Sequence, residues 1–81
     1  MRIRILAFAA LRELCHAPEH AIELPAGARV TDAWGALARE FPALAAHRAS
    51  TRIARNGQVA SFEEALADGD ELALLPPVGG G

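Results

Sequence analysis

The chain has no lysine: all eight of its basic residues are arginines. It therefore has no Schiff-base lysine, no phosphate-loop lysine and no side-chain amine on which copies of itself could be joined. A single cysteine, Cys15, excludes an internal disulfide and fits a reducing compartment. Basic blocks are absent and the formal net charge is −2, so the electrostatic footprint of a nucleic-acid binder is missing. No apolar run approaches the roughly 18 residues that span a bilayer. The run from Ile5 to Leu11 behind Arg2 and Arg4 mimics a short signal peptide, but Arg12 and Glu13 follow it directly and a strand explains it better. Neither GxGxxG nor GxxxxGK followed by Ser or Thr occurs, which removes the common nucleotide loops. These absences predict a soluble, cytoplasmic chain with no nucleic-acid or membrane partner.

What remains is globular in composition, 52% hydrophobic and 22% charged over 81 residues, enough for one domain. Arg2 to Phe8 alternates as a strand, with Ile3, Ile5 and Ala7 on one face and Arg4, Leu6 and Phe8 on the other. Leu11 to Cys15 reads as one or two helical turns stopped by Pro18, and Ala21 to Leu24 as a second strand closed by Pro25 and Gly27. Thr31 is the N-cap candidate for a helix whose apolar positions Trp34, Leu37, Ala38 and Phe41 share one face, ended by Pro42. Ala43 to Ala49 fits either helix or loop. Thr51 to Ala54, the Asn56-Gly57 turn and Gln58 to Ala60 make a hairpin. Ser61 and Glu64 have capping-box spacing for a brief helix, Asp68-Gly69-Asp70 is a turn, and Glu71 to Leu75 is the last strand. Strands at both ends around one main helix predict an α+β β-grasp, or ubiquitin-like, roll: a mixed sheet packed on one main helix, its first and last strands parallel in the middle. Residues 1–75 form that domain and residues 76–81 a flexible tail.

The body offers no enzyme site. His16 and His20 have a metal-ligand spacing, but Pro18 breaks the helix between them, and they read as solvated, as does His47. Cys15 reads as a small half-buried filler. The acidic residues from Glu63 to Glu71 do not match a calcium loop, and Arg52 and Arg55 read as solvated strand ends, open to an acidic partner. No metal or cofactor is expected on this chain.

The tail is different. Pro76 and Pro77 have no amide hydrogen, so the ladder ends there and the chain leaves extended. From Pro76 through Val78 and Gly79 to Gly81, six residues reach up to roughly 20 Å. Gly80 and Gly81 lack Cβ atoms and can thread a channel too narrow for a side chain. The same glycines read equally as slack at a chain end. Two features favour a function: the stiff prolines before them, and an outward Leu75 beside an outward Phe8, which together look like a docking patch. Phe8 folded over the core edge is the competing reading of that patch.

With these residues in view, the AFAALREL segment (Phe8, Arg12, Glu13), DGDELALLPPV and the closing Gly80-Gly81 resemble the small, sulfur-carrier subunit of molybdopterin synthase. The resemblance covers both ends and, through the Asn56-Gly57 turn, the middle by pattern. It departs at Gly79, where a small or polar residue is commoner. It implies that the Gly81 carboxylate becomes an acyl-adenylate on an E1-like adenylyltransferase partner, which supplies the ATP. Sulfur then converts it to a thiocarboxylate. The implied recipient is cyclic pyranopterin monophosphate in the large subunit, within a heterotetramer. Phe8, Leu75, Arg12 and, more weakly, Val59 belong to the implied partner-binding face. A carrier for thiazole synthesis or tRNA thiolation, and a ubiquitin-like protein modifier, are the alternatives.

Overall fold

Alternation fixes the first strand. Ile3, Ile5 and Ala7 are buried while Arg2 and Arg4 are exposed, and β1 runs Arg2–Ala7. In the computed structural model, which describes residues 1–77, this strand is followed by α1 (Ala9–Leu14), β2 (Glu19–Glu23) and α2 (Val30–Glu40). A 3-10 segment (Pro42–Ser50), β3 (Arg52–Arg55), β4 (Gln58–Ala60) and β5 (Glu71–Leu75) complete the described fold. The sheet order is β2-β1-β5-β3-β4. β1 and β5 are parallel neighbours at its centre, with Ile5 opposite Leu72 and Ala7 opposite Leu74, and the other pairings are antiparallel.

One face of the sheet is the core. Ile3, Ile5, Ile53, Leu72 and Leu74 pack there with Val30, Ala33, Trp34 and Leu37 of α2 and Leu44 of the 3-10 segment. Burying each large aliphatic side chain contributes about 1.5–3 kcal/mol. Asn56 and Gly57 adopt φ of 50° and 83°, the two left-handed positions of the β3–β4 turn. Pro42 holds Phe41 out of helical geometry and so ends α2. The alanine-rich stretch behind it winds as a 3-10 helix.

Three local expectations give way to long-range contacts. Thr31 is not the cap of α2, which already begins at Val30. The amides of Val30 and Thr31 donate to the Glu64 and Phe62 carbonyls, both at 2.9 Å, and the Asp32 carboxylate takes the Arg29 amide at 2.7 Å. The segment containing Ser61 to Glu64 therefore caps α2 across the chain and forms no helix of its own. The third expectation concerned side-chain exposure. Cys15 is wholly buried, not half-buried, and His20 is half-buried against Phe41, their ring centroids 5.2 Å apart. His20 Nε2 lies 3.0 Å from the Cys15 carbonyl oxygen; since that oxygen only accepts, Nε2 carries the proton.

Candidate functional site

The helices cover one face of the sheet, and the register shows what lies on the other. Across four strands Leu6 of β1 pairs with Ala73 of β5, Ala73 with Ala54 of β3, and Ala54 with Val59 of β4. These outward residues form a continuous apolar row. Leu6, Ala54 and Ala73 are partly exposed and Val59 is 76% exposed. On the tail side of this row stand Leu75, half-buried, and Phe8, 46% exposed. Phe8 keeps an extended backbone, φ −123° and ψ 152°, so the alternation of β1 continues through it and carries its side chain outward. The neighbouring Ala9 turns the chain into α1 with φ 51°, a left-handed conformation that costs a non-glycine residue about 1 kcal/mol or more.

The opposite end of this face is charged and internally compensated. Arg4 reaches Glu71 at 2.6 Å and Glu19 at 3.3 Å, and Arg2 lies 4.0 Å from Glu23. A hollow lined by Arg2, Arg4, Glu19, Ala21, Asp68 and Gly69 sits at that end, remote from Leu75. Among the described residues no group of three or more His, Cys, Asp and Glu side chains could hold a metal ion, and no helix is long and apolar enough to cross a membrane.

A buried polar lock fixes where β5 begins. Asp70, 6% exposed, accepts from Arg55 Nε at 2.7 Å, Asn56 Nδ2 at 2.9 Å and the Ala67 amide at 2.8 Å. Arg55 also donates to Glu64 at 3.2 Å, and Asn56 Oδ1 accepts the Glu71 amide at 2.9 Å. Arg55 is therefore no solvated strand end. Burial alone would raise the Asp70 pKa. The bonds from Ala67, Asn56 and Arg55 outweigh it and hold the carboxyl below its usual range. The Arg55 pKa is raised in turn, chiefly by its bond to Asp70.

Of the residues singled out from the sequence, Phe8 and Leu75 stand on the tail side of the open face and Val59 at its far edge on β4. Arg12 is exposed on α1, which begins directly after Phe8. Pro76, half-buried, and Pro77, exposed, follow β5 and lie outside the ladder. Val78, Gly79, Gly80 and Gly81 lie outside the described residues. Leu6, Ala54 and Ala73 were not singled out. Each follows from strand alternation, but only the register aligns them.

A mixed five-stranded sheet closed by one main helix, with its last strand central and an apolar strip on its open face, defines a ubiquitin-like protein of the β-grasp class. A model of the ThiS family matches residues 5–81, and the chain belongs to that family. The molybdopterin synthase sulfur carrier subunit of Mycobacterium tuberculosis is 33% identical over 82 residues, covering all of this chain and 99% of that one. The crystal structure of small archaeal modifier protein 1 from Haloferax volcanii superposes with a TM-score of 0.88 at 34% identity, covering 95% of this chain and 98% of that one. A complex of subunits 1 and 2 of the molybdopterin-converting factor from Helicobacter pylori contains a chain matched at TM-score 0.68 and 26% identity, covering 100% of both.

Proposed function

We propose that this chain is the sulfur-carrier subunit of molybdopterin synthase in molybdenum-cofactor biosynthesis, with the Gly81 carboxylate as its reactive group. An ionised carboxylate, of ordinary pKa about 3.5, is a poor electrophile. Adenylation joins it to AMP and releases pyrophosphate, and the resulting mixed anhydride is open to a sulfur nucleophile, with AMP as leaving group. The adenylate is formed by an E1-like adenylyltransferase that binds the ATP; this chain binds no cofactor of its own. The thiocarboxylate then enters the active site of the large subunit and gives its sulfur to cyclic pyranopterin monophosphate. The two subunits assemble as a heterotetramer in the cytoplasm. The scaffold's task is to present the tail: Pro76 to Gly81 thread the partner's channel, while Phe8, Leu75, Val59 and Arg12 dock the domain.

The observation that carries this reading is the placement of the open apolar face beside the end of β5, in a chain that aligns over its whole length with a sulfur carrier subunit. The test is an intact-mass spectrum after co-expression with the adenylyltransferase. The expected product has one oxygen replaced by sulfur. A chain extended by one residue after Gly81 should stay folded and fail to load, because its acyl carbon becomes an internal amide. Molybdoenzyme activity sustained by the extended chain would end the proposal.

A second reading is favoured by the likeness to small archaeal modifier protein 1. Here the same activated terminus is passed to a protein amine, and the spectrum shows larger adducts in place of the sulfur-substituted monomer.

A further inference from the structure

The open face of the sheet is polarised in a way that the apolar strip alone does not explain. At the end where β1 and β5 begin, both arginines meet carboxylates: Arg2 with Glu23, and Arg4 with Glu19 and Glu71. At the end where β5 finishes, Arg52 stands directly opposite Leu75 in the β3–β5 register, exposed. No carboxylate of the described residues lies within 4.0 Å of it, nor of Arg12. A chain of net charge −2 thus keeps uncompensated guanidinium groups beside the apolar corner formed by Leu75 and Phe8. Arg52 also sits on the face opposite Arg55, whose guanidinium is paired with Asp70 and Glu64.

Resting on the sulfur-carrier reading, we propose that Arg52 determines docking specificity, and that the partner surface which covers Leu75 and Phe8 carries a carboxylate facing it. The chemistry fits. An arginine fork binds a carboxylate through two parallel bonds, and an apolar rim around that pair excludes water and strengthens it. Such a pair orients approach, so that the tail side of the domain reaches the partner first. The compensated end of the face gives no such pull.

The test is surface plasmon resonance of the full chain on immobilised molybdopterin synthase large subunit, at low and high salt. Variants are Arg52→Glu, Arg52→Lys and, from the compensated end, Arg4→Gln. The association rate of Arg52→Glu should fall about tenfold at low salt, and the gap should close to about twofold near 1 M salt, where charges are screened beyond about 3 Å. Arg52→Lys, which keeps the charge, and Arg4→Gln should stay within about twofold of the parent. Circular dichroism checks that each variant is folded. If Arg52→Glu is not, Arg52→Gln takes its place, with an expected loss of about threefold. A charge reversal that leaves the rate unchanged, or a loss independent of salt, overturns the role of Arg52 while leaving the carrier function standing. A parent chain that forms no complex with the large subunit overturns both.

Discussion

Replacing Asp70 by asparagine keeps the shape of the side chain and removes its charge. In the structure that carboxylate takes three hydrogen bonds at 2.7 to 2.9 Å while almost wholly buried. Asparagine retains one acceptor oxygen but turns an NH2 group toward donors, so the partnership with Arg55 or Asn56 is lost. Hydrogen bonds to charged groups contribute about 1.5–3 kcal/mol each and are not additive within a network, so a total near 2 kcal/mol is expected at pH 7. A domain of this size has roughly 4–12 kcal/mol in all, and the loss corresponds to a fall in Tm of about 8–16 °C. The pH dependence is the sharper part. The folded-state pKa lies below the unfolded value of about 3.9, so the native state binds fewer protons. The contribution is therefore complete above that value and disappears as the pH falls through the lower, folded one. Urea melts followed by fluorescence of Trp34, buried and edge-on to Phe62 at 6.0 Å, give both stabilities at each pH. Parent and variant should differ at pH 7 and 5 and converge in acid. A difference that stays constant or widens on acidification would show that the Asp70 charge is not the source of the stability.

The remaining expectations separate scaffold from surface. Ile5→Ala opens a cavity in the middle of the core and should cost about 2–5 kcal/mol, close to unfolding the domain, as a urea melt will report. Phe8→Arg should change stability by less than about 1 kcal/mol and weaken binding to the large subunit; a collapse of the fold would instead make Phe8 part of the core. Burial raises the pKa of the Cys15 thiol. Its reaction with a thiol reagent at pH 8 should therefore be slow in the native protein and become fast in urea, and rapid native labelling would contradict its burial.

The strands were legible because each carries its own evidence. Alternation in β1 and β5 separates Ile3, Ile5, Leu72 and Leu74 from Arg4, Ala73 and Leu75, and Asn56-Gly57 specifies its turn through backbone torsion alone. The misreadings share another origin. Thr31 and Ser61 have the chemistry of helix caps, but the α2 amides are met by carbonyls more than thirty residues away, a solution with no local mark. Arg55 reads as a surface residue until folding brings the Asp68–Asp70 turn beneath it. The row from Leu6 to Val59 was equally hidden, because three of its four members are unremarkable alone and gain meaning only in register. The glycine tail was visible only as composition and chemistry, and Val78 to Gly81 lie outside the described residues.

Any partner that grips the chain past Pro77 and draws it inward pulls lengthwise on β5. That strand is bonded along both flanks, to β1 on one side and β3 on the other. The load therefore has to shear two ladders at once and cannot unzip a single edge bond by bond. An outermost strand would peel under the same tug. A terminus anchored in mid-sheet can be seized, processed and released again with the body of the molecule intact.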